Sequence, residues 1–203
     1  MSLVTAGCAG ETVRMLLNTI FKVLYCSWIV TEVLVLLVTR TRSGGGTISD
    51  RGSLRVLWAT IMVSMTAGMW VGAAYRPTMM HGMHWIWPVC VVLLAVGLVI
   101  RWIAIYTLGK SFSANVAIHA TQRLNRSGLF RYMRHPSYTG MVLIFVAMGL
   151  STHNWLGLAI IVVGPVAALV YRIHVEEDAL TAAFGQEYVE YSRVTKRLVP
   201  GVY

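Results

Sequence analysis

Five apolar stretches, at residues 15–38, 54–75, 85–105, 137–150 and 155–171, constrain this chain more than any other feature. The first three have the roughly 20 residues that an α-helix needs to cross the ~30 Å hydrocarbon core of a bilayer. In lipid the backbone must satisfy its own hydrogen bonds, and for runs of this length a helix does so. Composition agrees: 57% of the 203 residues are hydrophobic and 12% are charged, against about a quarter charged in a soluble domain. Mean hydropathy is +0.66. The expected fold is all-α: a polytopic integral membrane protein with about five transmembrane helices. Only Ser151-Thr152-His153-Asn154 separates the last two runs, and the first of them is short for a crossing, so the pair predicts a tight helical hairpin buried in protein. From Arg172 onward charged and apolar residues alternate at helical spacing until Pro200, which predicts a C-terminal cytoplasmic helix lying back against the core. No repeat or second domain is apparent. The chain reads as a single membrane domain, 1–203, with three N-terminal spans in 1–106 and a functional core in 107–203.

The net charge of +9 is not read as a nucleic-acid surface, because the arginines fall between apolar runs instead of along one solvated face. With five spans, one side receives Arg40, Arg42, Arg51, Arg55, the basic segment up to Arg134 and the tail, and the other little beyond Arg14 and Arg76. The basic side should be cytoplasmic, with the N-terminus outside and the C-terminus inside. Cys8, Cys26 and Cys90 are scattered and suggest neither a disulfide framework nor a metal site. The first residues lack the layout of a removable signal peptide.

Two constellations carry chemistry. In "LFRYMRHPSYTGM", residues 129–141, Arg131, Arg134 and His135 gather just ahead of Pro136. Proline disfavours helix for the residue before it and suits a first helical turn. His135 and Arg134 are thus expected at the mouth of a helix, where free N–H groups favour polar or anionic ligands. Tyr138 belongs to the same first turn. Ordinary topology determinants ahead of a span would look similar. In "YRIHVEEDAL", Arg172 and Glu176 stand four apart and share a helix face, while adjacent Glu177 faces elsewhere. A structural Arg–Glu pair is the plainer account of that spacing. Both segments flank the same hairpin, so they are expected to meet near the cytoplasmic surface.

"RHPSYTG", an apolar hairpin and then "EEDALTAAFGQEYVEYSRVTKRLVPG" together resemble the signature of the isoprenylcysteine carboxyl methyltransferase family. The likeness runs over about residues 108–200 and includes "LGKSFSANV" ahead of it. It implies S-adenosylmethionine-dependent methyl transfer at the membrane surface. The cofactor site would carry no Rossmann sheet, and no GxGxxG follows a strand here. By the resemblance, His135, Pro136, Ser137, Tyr138 and Glu176 line the cofactor site, as do Gln122, Arg123, Leu124, Asn125 and Phe130. The family usually has His where Gln122 stands and Tyr where Phe130 stands. Arg172 is the implied substrate-binding and catalytic residue. Arg134 is a second catalytic candidate, assisting or anchoring to phosphate, and Glu177 would pair with an arginine or cap the tail. The compact chain resembles prokaryotic members, which implies a bacterial or archaeal cytoplasmic membrane.

A carboxylate acceptor is already ionised at neutral pH, so the protein's task is positioning, for which an arginine fork suits. The expected partners are the bilayer and a lipid-like or prenylated carboxylate substrate, with no nucleic acid and no metal. The oligomeric state is not readable. Phospholipid N-methylation and thiol S-methylation are the alternatives within the superfamily. A transporter or assembly subunit is the non-enzymatic alternative, and would spread its charges along a pathway. Three further features stand apart. His81 and His84 form an HxxH spacing without a third ligand. Glu32 lies inside the first span, where an ionisable group is a functional-site candidate by default; a pair with Lys22 or a neighbouring arginine is the other reading. Arg101 is expected to snorkel toward the headgroups.

Overall fold

A computed structural model of the chain describes residues 2–42, 47–48, 52–83, 85–109, 112, 117–118 and 123–201. Gln122 and His84 lie outside them. Among the described residues six α-helices follow in order: α1 (Ser2–Arg42), α2 (Ser53–Ala74), α3 (Ile86–Leu108), α4 (Pro136–Ser151), α5 (Trp155–Phe184) and α6 (Gln186–Val194). A two-residue antiparallel ladder joins β1 (Thr47–Ile48) to β2 (Ala117–Ile118). Short 3₁₀ turns occupy Arg76–Thr78 and Gly128–Arg131.

Helices α1, α2, α3 and α5 are long and apolar enough to cross a membrane. At 16 residues, α4 reaches only about 24 Å at ~1.5 Å per residue, less than the hydrocarbon thickness. Two boundaries differ from expectation. The first helix runs well past residues 15–38 at both ends. The last span does not stop near residue 171 either: α5 continues unbroken to Phe184, so Arg172, Glu176 and Glu177 stand on the same rod as the membrane span. Good helix formers in "VEEDALTAAF" let it pass through the interface. The rod ends at Gly185, whose φ of 53° and ψ of −128° suit glycine.

α1 packs on α3, α3 on α4, α4 on α5 and α5 on α2, which leaves α1 and α2 at the two ends of the series. Small residues make the seams close, as expected where lipid offers no hydrophobic drive for helix association. A Cβ on Gly97 of α3 would sit 2.7 Å from the Gly140 carbonyl of α4. Across α2 and α5, one on Gly157 would sit 3.0 Å from the Gly68 carbonyl. The hairpin turn is fixed by Asn154, which is fully buried. Its side chain accepts from the Leu156 and Gly157 amides at 2.9 and 3.0 Å, a side-chain helix cap. It also donates to the Tyr75 carbonyl at 2.8 Å.

Candidate active site

The mouth of α4 and the far end of α5 meet. Tyr138, in the first turn of α4, donates its hydroxyl to Glu176 Oε2 at 2.7 Å and accepts from Arg172 Nε at 2.9 Å. Arg172 also donates from Nη1 to Ser53 Oγ, at the start of α2, 2.9 Å away. The His135 ring stacks on that of Tyr138, centroids 5.4 Å apart and planes 13° from parallel. Its Nδ1 lies 3.7 Å from Glu176 Oε2 and its Nε2 3.3 Å from Glu177 Oε1. One imidazole thus spans two carboxylates on successive residues.

Glu177 is held by arginines. Arg134 Nε donates to its Oε1 at 2.8 Å, and Arg197 Nε to its Oε2 at 2.9 Å. Arg134 also donates from Nη1 to the Ser192 carbonyl at 2.9 Å and to the Thr195 carbonyl. The residues after α6 run alongside the basic segment: the Arg134 amide bonds the Lys196 carbonyl at 2.8 Å and the His135 amide the Arg197 carbonyl at 3.0 Å. Thr139 Oγ1 adds a bond to the Leu198 carbonyl at 2.7 Å. Glu176, by contrast, has no arginine or lysine within ion-pair distance among the described residues.

The mouth of α4 offers fewer free donors than expected. Pro136 has no N–H, and the Tyr138 and Thr139 amides bond back to the His135 carbonyl at 3.0 and 3.1 Å. The anion-binding role foreseen for a set of free amides therefore has little to work with, and side chains supply the polarity instead.

These groups border an open cavity with about 1240 Å³ of atom-free space. Of the site residues expected from sequence, Arg123, Leu124, Asn125, Phe130, Arg134, His135, Pro136, Ser137, Tyr138, Arg172 and Glu176 all line it. Asn125 is held by a bond from Nδ2 to the Thr107 carbonyl at 3.0 Å, and Phe130 by the Tyr191 hydroxyl, which donates to its carbonyl at 2.6 Å. Burial pushes the Tyr191 hydroxyl up to about 12, so it remains a donor at neutral pH. Toward the membrane the wall turns apolar: Val35 and Leu36 of α1, Leu54, Leu57 and Trp58 of α2, and Met141 of α4.

Three contributions were not foreseen. Ser53 supports Arg172 from 119 positions away, the tail braces the RHP segment, and Arg101 lines the cavity. Arg101 does not snorkel: it is 7% exposed and pairs with Glu32, itself 4% exposed. Alignment along the membrane, not sequence proximity, brings these two together, and Lys22 points outward instead. His81 is exposed and takes no part.

Residues 89–182 match the isoprenylcysteine carboxyl methyltransferase (ICMT) family. Protein-S-isoprenylcysteine O-methyltransferase B of Arabidopsis thaliana is 29% identical over 130 residues, 58% of this chain and 61% of that protein. A probable protein-S-isoprenylcysteine O-methyltransferase of Oryza sativa subsp. indica is 34% identical over 104 residues, 50% of this chain and 54% of that protein. The chain thus spans little more than half the length of these relatives. The solved structure of the eukaryotic intramembrane Ras methyltransferase ICMT superposes with a TM-score of 0.61 at 24% identity, over 71% of this chain and 52% of that one. It shares the membrane fold. The signature segments of this integral membrane protein close on one cavity, and the stretch 89–182, a little under half of the chain, is similar to the isoprenylcysteine carboxyl methyltransferase family.

Proposed function

We propose that this chain is an S-adenosylmethionine-dependent methyltransferase that esterifies the carboxylate of an isoprenylcysteine-type or similar lipid-like substrate at the cytoplasmic membrane surface. The observation that carries the reading is the Tyr138 hydroxyl set between Glu176 and Arg172, at the junction of a polar and an apolar cavity wall. The donor set fits a sulfonium cofactor. Glu176, not neutralised by an arginine, suits the ammonium of its amino-acid portion, and Phe130 with the Arg123–Asn125 segment offers a mixed surface for its base and sugar. When bound, that cofactor would supply an electrophilic methyl group.

The residues have distinct tasks in this reading. Arg172, permanently charged, binds and orients the substrate carboxylate; the acceptor is already ionised, so no general base is needed. Glu176 holds the cationic end of the donor, and Tyr138 fixes the spacing of the two. His135 stacks behind Tyr138 and stiffens it. Arg134, committed to Glu177 and two carbonyls, holds the tail against the site in place of a direct catalytic task. The apolar wall from Val35 to Met141 takes the lipid part of the substrate and excludes water from the reacting groups. The excess of arginine on one side supports a cytoplasmic active site, with the N-terminus outside.

The test is transfer of labelled methyl to an S-farnesyl cysteine carboxylate by the purified protein, followed by alkali. Label released as methanol is the expected result. Transfer only to an amine or thiol of a membrane extract, stable to base, would overturn the carboxylate assignment in favour of the N- or S-methylating alternatives.

A further inference from the structure

A second ionic group, apart from Glu176 and Glu177, also lines the cavity. Arg101 of α3 places Nε and Nη2 on the carboxylate of Glu32 of α1, with the Nη2–Oε2 distance 2.7 Å. Its Nη1 donates to Ser137 Oγ at 2.6 Å. Trp28 Nε1 secures the same carboxylate at 3.0 Å. Each of the three guanidinium nitrogens is therefore engaged, and of its five N–H donors only the second ones of Nη1 and Nη2 remain. Holding such a pair among apolar spans is costly, and replacing both partners with apolar residues is often neutral for stability. Packing alone does not ask for it.

Its hydrogen bond to α4 is informative. Ser137 sits between Pro136 and Tyr138, so whatever fixes Ser137 fixes the rotation of α4 about its axis at the level of the site. The α3–α4 seam lies next to it. It is built on Gly97 against Gly140, with a Cβ on Gly140 only 2.5 Å from the Gly97 carbonyl and 3.0 Å from Arg101 Cβ. The Ile144 side chain of α4 also meets Gly97 there, so the two helices pack closely at this level. The Arg101–Ser137 bond adds a directional constraint one helical turn from that contact.

We propose that Glu32 and Arg101 form a positioning pair that, through Ser137, sets the rotation of α4 so that the Tyr138 hydroxyl meets both Glu176 and Arg172. The inference rests on the methyltransferase reading above. A misplacement of about 1 Å at reacting groups costs on the order of 100-fold in rate, so loss of the pair is expected to be felt in turnover more than in folding.

The test is a double-mutant cycle on the full chain in detergent: the paired replacement Glu32→Leu/Arg101→Met, Ser137→Ala, and their combination. Thermal unfolding, S-adenosylhomocysteine affinity and kcat/KM for an S-farnesyl cysteine acceptor are measured for each. The paired replacement is expected to unfold within about 2 °C of wild type yet lose about 10- to 100-fold in kcat/KM. Ser137→Ala should lose a similar factor, and the combination no more than either alone, because both cut one connection. Arg101→Lys, which keeps the charge but cannot reach both partners, should also lose turnover while folding normally; it carries the test if the paired replacement does not fold. Wild-type kcat/KM in the paired replacement or in Arg101→Lys, or effects that multiply in the combination, would overturn the proposal alone. A folded wild type that binds no S-adenosylhomocysteine would overturn the methyltransferase reading and this proposal with it.

Discussion

Glu176 and Glu177 are neighbours in the chain, and their surroundings differ sharply. Successive helical residues point about 100° apart; here that angle separates a cavity from a brace. Glu177 is gripped by Arg134 and Arg197 with His135 alongside, and its side chain is 13% exposed. Glu176 is 30% exposed, accepts from Tyr138 and borders the cavity. The difference separates a charge used for architecture from one that borders the cavity. At Glu177 the negative charge is satisfied within the protein, and the tail is tied to the RHP segment as a result. At Glu176 no arginine or lysine pairs with it among the described residues, and under the proposed function it meets a cation from outside.

Substitutions that treat the two carboxylates alike should give unlike results. The largest effect is expected for Glu177→Ala, which strands Arg134 and Arg197 without their acid. Removing one member of a buried pair costs about 3–5 kcal/mol, so the thermal unfolding temperature in detergent should fall and ligand binding should fall with it. Next is Arg172→Lys: an ammonium cannot reproduce the fork, and turnover should drop roughly 100-fold while cofactor affinity in a titration stays near wild type. Glu176→Gln should weaken S-adenosylhomocysteine binding about 10- to 100-fold, the worth of a charge-assisted hydrogen bond, with little change in unfolding temperature. Full activity in Arg172→Lys, or a loss of stability in Glu176→Gln equal to that of Glu177→Ala, would erase the distinction. The smallest effect is expected for Tyr138→Phe, which keeps the ring on His135 and removes one hydroxyl. About 10-fold in kcat/KM, the lower end of what misplacing that hydroxyl costs, should be lost, read from steady-state kinetics.

Much of this site is legible in the sequence because its two halves carry local signals. Pro136 fixes a helix start next to His135, and the spacing of Arg172 and Glu176 puts both on one face. The short link at Asn154 brings the halves together, since a tight hairpin leaves its two far ends adjacent. What escapes the sequence is pairing across long separations. Arg101 meets Glu32 over 69 positions and Arg172 meets Ser53 over 119; periodicity within one helix says nothing about which neighbour faces it. The tail is a related case. Residues 195–201 are not helical, and Lys196 and Arg197 bond backbone to backbone with residues 133–135, a contact that leaves no side-chain pattern. The continuous α5 was missed because a change from apolar to charged composition reads as a boundary, although a helix leaving the membrane need not stop there.

The claim on which the rest depends is that Glu176 faces a site for a cationic methyl donor. Calorimetric titration of the detergent-purified protein with S-adenosylhomocysteine, beside Glu176→Gln at matched folding, tests it most directly. Saturable binding to the wild type that weakens at least ten-fold in the variant is the predicted result. No binding to a folded wild type, or equal affinity in the two proteins, would contradict it.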